Sequence, residues 1–267
     1  WANHPTVFKA AGMEVKSYAY RDPATNGLDF NAMMESLEKI PAGDVALLHG
    51  CCHNPTGIDP SVEEWSQIGE LLRRRGVLPL VDFAYQGLAD GIDVDAAGLR
   101  ALVEHVDQLL ISSSFSKNFG LYRDRVGSLS FLAADTATRD VLSSQANNYV
   151  RTLYSMPPDH GAAVVSIILG DDALREEWLE EVAAMRGRLE AMRALLCDAL
   201  QAKDPARDFS HLARATGMFC FLGITPAEVE QLKKDFGVDM VDSSRINVAG
   251  ITEQNVGYLA DAIAAVV

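Results

Sequence analysis

Short apolar runs recur along the first half of the chain, each bounded by turn residues. Residues 45–48 (VALL), 77–81 (VLPLV), 109–111 (LLI) and 126–132 (VGSLSFL) have the length and continuity of buried strands. Helical spacing of apolar positions separates most of them. Residues 61–75 predict a helix, because Ser61 and Glu64 stand at capping-box spacing directly after Pro60. Residues 96–105 predict another. Strand–helix alternation of this kind predicts an α/β domain with a mostly parallel sheet.

The pattern changes after Arg139. Residues 173–201 predict one long amphipathic helix, with Trp178, Val182, Met185, Leu189, Met192 and Leu196 forming a packing stripe. A helix of that length suits a bridge between two domains. Beyond it, MFCFLG (218–223) predicts a strand. Thr225-Pro226-Ala227-Glu228 then opens a helix with a cap, a proline at its first position and an acid in its first turn. RINVAG (245–250) predicts a further strand and residues 252–267 a closing helix. These elements make a small α+β unit, with no internal repeat and no low-complexity linker.

Length and composition narrow the possibilities further. The 267 residues, 48% hydrophobic and 22% charged, suit one large domain or a domain and a half. No apolar run approaches the roughly 18 residues that span a bilayer, and no signal-peptide pattern is present. A cytoplasmic protein is the expectation. The chain opens on WANHPTVF without an initiator Met, as expected of a fragment or of a partly ordered protein. A net charge of -14 argues against nucleic acid as a partner. It leaves room for a basic pocket that takes a small acid. Cys51, Cys52, Cys197 and Cys220 lack the C-x-x-C spacing of zinc sites. Reduced, buried thiols and no metal are expected.

Three features lie at the ends of predicted strands, where α/β folds place ligands. HGCCHNPTG follows the first strand, and Asn54-Pro55-Thr56-Gly57 is turn chemistry. VDFAYQG puts Asp82 at a strand end and Tyr85 three residues later. SSSFSKNFGLYRDRVG carries Ser114, Lys117 and Arg125. Singly, these read as a loop, a helix cap and a solvated lysine. Together with YSMPPDHGA and SSRINVAG, their order and spacing resemble class I pyridoxal-phosphate (PLP) aminotransferases. The aspartate/aromatic (tyrosine) aminotransferase group is the nearest match, and the resemblance runs from Trp1 to Val267.

The resemblance implies a partial PLP fold type I large domain in residues 1–184 and the C-terminal portion of the small domain in residues 185–267. It implies that Lys117 holds PLP as a Schiff base and carries the proton between the substrate Cα and the cofactor. That task needs an amine with a lowered pKa. Ser114 and Arg125 match phosphate-binding residues, for which a hydroxyl and a guanidinium fork are suited. Asp82 matches the acid paired with the pyridine nitrogen, and Tyr85 and Asn54 match residues that bond the 3′-oxygen. His4 matches an imidazole behind the Asp82 carboxylate, and Trp1 the aromatic stacked on the ring. Arg245 matches the residue that grips the substrate α-carboxylate. Arg151 matches the arginine that binds a distal carboxylate across a homodimer. Phe219 lies where an aromatic lines the substrate pocket, as do Trp1 and Asn54.

The implied reaction is ping-pong transamination between aspartate or an aromatic amino acid and 2-oxoglutarate. The alternatives are a non-catalytic fragment, or another fold type I PLP activity such as a β-lyase or decarboxylase. Roughly the first third of the family's length, with part of its phosphate site, has no counterpart in this chain. Ser243-Ser244 stands where relatives often carry glycine. Met156 replaces a common Asn or Ser, which points toward aromatic substrates.

Overall fold

The computed structural model describes residues 1–267. In chain order the first elements are α1 (His4–Ala10), α2 (Phe30–Leu37), β1 (Val45–His49), α3 (Val62–Arg75) and β2 (Leu78–Phe83). Next come α4 (Ala97–His105), β3 (Leu109–Ser114), β4 (Gly127–Leu132), α5 (Thr136–Leu153) and α6 (His160–Gly170). The remainder is α7 (Asp172–Lys203), α8 (Ser210–Arg214), β5 (Phe219–Phe221), α9 (Pro226–Phe236), β6 (Arg245–Asn247) and α10 (Val256–Val266). No helix is long and apolar enough to cross a membrane.

The chain divides into two compact units. One, here the sheet unit, comprises residues 38–51 and 60–186. The other, the ribbon unit, comprises residues 1–37, 52–59 and 187–267. Helix α7 contributes to both, its 32 residues running through the division after Arg186.

The sheet unit is built on four strands in the order β1-β2-β3-β4. The first three are parallel, and β4 returns antiparallel to β3. The register pairs Val45 with Leu78, Asp82 with Ser112, and Ser114 with Gly127. β2 alternates buried and half-buried positions. Val81 and Phe83 therefore enter the core on one face, while Asp82 stands on the other. Helices α3 and α4 supply Trp65, Ile68, Leu72, Leu99 and Leu102 to that core. The predicted start of α3 is realised as a reciprocal capping box: Ser61 accepts from the Glu64 N–H, and Glu64 accepts from the Ser61 N–H.

The ribbon unit holds the antiparallel pair β5–β6, with Cys220 opposite Ile246. Its core includes Leu196, Leu200, Phe209, Leu212, Leu222, Leu232, Val248 and Ile263. Helix α9 opens on the same kind of capping box, between Thr225 and Glu228, with Pro226 as its first residue.

Two expectations are corrected here. The strand over RINVAG ends at Asn247, because Asn247 Oδ1 accepts from the Ala249 N–H and turns residues 248–250 into a 3-10 helix. Within the α7 stripe, Val182, Leu189 and Leu196 are buried but Met185 is 37% exposed. Met185 lies beside the point where the helix passes from one unit to the other.

The α3–α4 contact depends on the absence of a side chain at Gly98. A Cβ there would lie 2.2 Å from Trp65 Cδ1, and Trp65 is itself buried. Gly98→Ala is therefore expected to lower stability by roughly 1–3 kcal/mol through overpacking. Thermal or urea unfolding followed by circular dichroism measures it, and an unchanged midpoint would show that the indole can move aside.

Candidate active site

In the sheet unit the parallel strands β2 and β3 end side by side, and the loops that leave them carry the candidate residues. Asp82 is half-buried near the end of β2, and Tyr85, two residues beyond that strand, is 6% exposed. Ser114 closes β3, and its Oγ accepts from the Ser116 N–H at 3.2 Å. Lys117 follows in a turn closed by the Gly120 N–H on the Lys117 carbonyl. Its Nζ sits 4.6 Å from the centroid of the Tyr85 ring.

Burial is the largest influence on the Lys117 amine and pulls its pKa below the ordinary lysine value. Asp82 opposes that shift by attraction, and Arg125 adds to it by repulsion. Lys117 therefore lies in the fields of both an acid and a guanidinium. Arg125 is exposed, takes φ +53°, and donates from Nη1 to the Tyr122 carbonyl at 3.0 Å. Arg151, at the end of α5, is exposed and donates to Ser155 Oγ at 2.8 Å. Met156, next to Ser155, is 81% exposed.

The remaining candidates lie in the ribbon unit. Arg245 opens β6, opposite Phe221 of β5. Its Nη1 donates to Asn54 Oδ1 at 3.1 Å, and its guanidinium lies 4.7 Å over the Phe219 ring. Asn54 is only 2% exposed. Its carbonyl accepts from the Trp1 nitrogen at 2.9 Å, and the Trp1 ring meets His4 edge-on at 5.2 Å. Asn54, Arg245, Phe219, Trp1 and His4 thus form one contiguous group within this unit.

The loop that carries Asn54 is fixed by residues the motifs do not mark. Asp59 accepts the N–H groups of Cys52 at 2.6 Å and His53 at 2.8 Å, and the Thr216 hydroxyl at 3.1 Å. Tyr20 stacks on His53 with centroids 3.9 Å apart and donates its hydroxyl to the Ile58 carbonyl. Burial pushes the His53 pKa down to about 3, so this imidazole is neutral at physiological pH. An acid five residues after Asn54, just beyond the Asn-Pro-Thr-Gly turn, was the available signal for Asp59.

Comparison with known proteins identifies the family. Residues 1–263 match the family described as aminotransferase class I and II. The chain belongs to that family. It is 50% identical to the aspartate aminotransferases of Salmonella typhi and Escherichia coli over 266 residues, covering 100% of this chain and 67% of each relative. A solved structure of the aromatic-amino-acid aminotransferase from Burkholderia pseudomallei, covalently bound to pyridoxal phosphate, superposes with a TM-score of 0.97. Its identity is 41%, and the alignment covers 100% of this chain and 67% of that one. The chain therefore spans about two-thirds of the length of these aminotransferases.

The residue before Arg245 carries backbone strain. Ser244, beside Arg245, takes φ +61° and is buried. This is the left-handed region that glycine enters without penalty and serine does not. Ser244→Gly is expected to raise stability by about 1 kcal/mol, read as a higher denaturation midpoint. A lower midpoint would mean that the buried hydroxyl outweighs the backbone strain.

Proposed function

We propose that the chain carries the catalytic residues of a PLP-dependent transaminase that moves an amino group between aspartate or an aromatic amino acid and 2-oxoglutarate. The observation that carries this reading is the Lys117 amine, 4.6 Å over Tyr85 and in the fields of Asp82 and Arg125. A carboxylate, a phenol and an amine of lowered pKa around two strand ends suit the three reactive positions of a pyridine aldehyde: its ring nitrogen, its ring oxygen and its aldehyde carbon. The aminotransferase fold and a near relative that holds pyridoxal phosphate covalently support the same choice.

When bound, the cofactor supplies an electron sink for the pair released at the substrate Cα. The protein's own groups do the rest. Lys117 Nζ would hold the cofactor at its aldehyde carbon, and the same amine, when free and neutral, would take the proton from the substrate Cα. Its half-buried setting favours the neutral amine this requires. Asp82 would pair with the ring nitrogen and keep it protonated, and Tyr85 would donate its hydroxyl to the ring oxygen. Ser114 and Arg125 hold the phosphate, a role for which a planar fork is better suited than an ammonium.

In the ribbon unit, Arg245 binds the substrate α-carboxylate. It is already oriented by Asn54 Oδ1 and supported on one face by Phe219. Arg151 serves the distal carboxylate from the neighbouring subunit of a homodimer. The first product leaves before the second substrate binds, because one set of residues handles both halves of the reaction.

Two expectations test these roles. Wild-type protein incubated with pyridoxal phosphate develops a visible absorption band that Lys117→Ala lacks. A variant that keeps the band places the attachment elsewhere. Arg151→Leu lowers kcat/KM for aspartate by roughly 100-fold, about 2.7 kcal/mol of transition-state binding. It leaves phenylalanine within about threefold of wild type, the ordinary scatter of a surface change. Equal losses on both substrates would remove Arg151 from the distal-carboxylate role.

A further inference from the structure

We propose that Asp95 is the positioning residue that fixes Tyr85 against the Lys117 amine, an inference that rests on the roles just given to those two residues. Asp95 is 6% exposed, on the loop between β2 and α4. Its Oδ2 accepts the N–H groups of Gly87 at 2.7 Å and Ala89 at 3.1 Å. Its Oδ1 accepts those of Asp90 at 2.7 Å and Gly91 at 3.1 Å. One carboxylate thus gathers the backbone of the segment that leaves Tyr85, filling roughly all four of its lone-pair sites.

The sequence is adapted to this convergence. Gly87 and Gly91 have φ of +96° and +139°, open to glycine alone at no cost. A Cβ on Gly87 would also lie 2.6 Å from Ile92 and 2.7 Å from Val182. The Leu88 N–H donates to the Tyr85 carbonyl at 3.1 Å, so the folded loop reaches back onto Tyr85 itself.

A second strut ties this loop to the lysine. Asn118, next to Lys117, donates from Nδ2 to the Gln86 carbonyl at 3.1 Å, and Trp178 Nε1 donates to the Asn118 carbonyl at 2.8 Å. Tyr85 and Lys117 therefore sit on two segments joined at the adjacent residues 86 and 118. Asp95 sets the position of the first segment. The groups that face Lys117 are the Tyr85 ring, Asp82 from β2 and Arg125 from the loop before β4. Of these, Asp95 moves only Tyr85.

Asparagine at position 95 keeps the shape but turns an NH2 group toward two N–H donors, which lose their acceptor. The test reads the lysine itself. Cofactor-free protein is treated with formaldehyde and cyanoborohydride across a pH series, and methylation of the peptide bearing Lys117 is followed by mass spectrometry. Asp95→Asn is expected to shift the midpoint of that profile in the direction, and by the amount, seen for Tyr85→Ala. The double variant is expected to shift no further than either, while Asp93→Asn, exposed on the same loop, keeps the wild-type midpoint.

A folded Asp95→Asn protein with an unmoved midpoint overturns the proposal. So does a double variant whose shift is the sum of the two. Should Asp95→Asn not fold, Asp95→Ser, which keeps one acceptor, takes its place. If neither folds, the proposal also falls, because Asp95 then serves the fold at large and not the position of Tyr85. The labelling needs no cofactor. A wild-type protein that gains no visible band with pyridoxal phosphate therefore refutes the proposed activity, while the midpoints still decide the role of Asp95.

Discussion

Parallel pairing of β1, β2 and β3 is the constraint on which the sheet unit depends. Strands that run the same way end at the same edge, so His49, Asp82 and the serines of β3 finish together with no further instruction. A parallel sheet also requires crossovers, and α3 and α4 supply them while covering the core face with Trp65, Ile68 and Leu102. The side chains that alternate away from that core are free to be polar. Asp82 is such a residue, since its neighbours Val81 and Phe83 are the ones buried.

An edge assembled by strand ends still leaves the loops undefined, and both units solve that problem with a carboxylate. Asp95 collects four backbone N–H groups in the sheet unit, and Asp59 collects two and a hydroxyl in the ribbon unit. An N–H withdrawn from water without an acceptor costs about 1–3 kcal/mol, so an acid that satisfies several of them selects one loop conformation over its competitors. Carboxylates suit the task because they accept only and never present a competing donor. The adjacent candidate residues, Tyr85 and Asn54, inherit positions that their own contacts need not specify.

Much of the architecture was legible because its signals are local. Short apolar runs placed four of the six strands to within two residues at each end, and missed the ends of β3 and β6 by three. The starts of α3 and α9 were placed by Ser61–Glu64 and Thr225–Glu228, whose reciprocal bonds involve residues three apart. The antiparallel return of β4 was implicit too, since no helix intervenes between it and β3 to make a parallel crossover. Helix α5 left no trace in the pattern because it buries no residue, and an apolar stripe exists only where a face is covered. The candidate site divides in the same way. Motifs identified which residues to consider, from Asn54 to Arg245. They did not mark Asp95, Asp59 and Tyr20, whose partners are mostly backbone groups of irregular loops and therefore leave no side-chain pattern.

A net charge of -14 on a chain read as binding acidic substrates poses an electrostatic problem, and local geometry answers it. Exposed charges more than about 8–10 Å away are largely screened at physiological ionic strength, so the acidic surface contributes little inside a cleft. What acts there is the nearest charge. Arg245 is half-buried, oriented by Asn54 and backed by the face of Phe219. These contacts hold the fork in place before a carboxylate arrives, so little conformational freedom remains to be lost on binding. Lys117 shows the complement of the same principle. Its own net shift is downward although an aspartate pulls the other way, because removing an ammonium from water outweighs one imperfectly placed counter-charge. The same half-burial that would strengthen a guanidinium's grip on an anion thus weakens an amine's hold on its proton. In the proposed roles, that is why arginine suits the anchoring position at 245 and lysine the reacting one at 117.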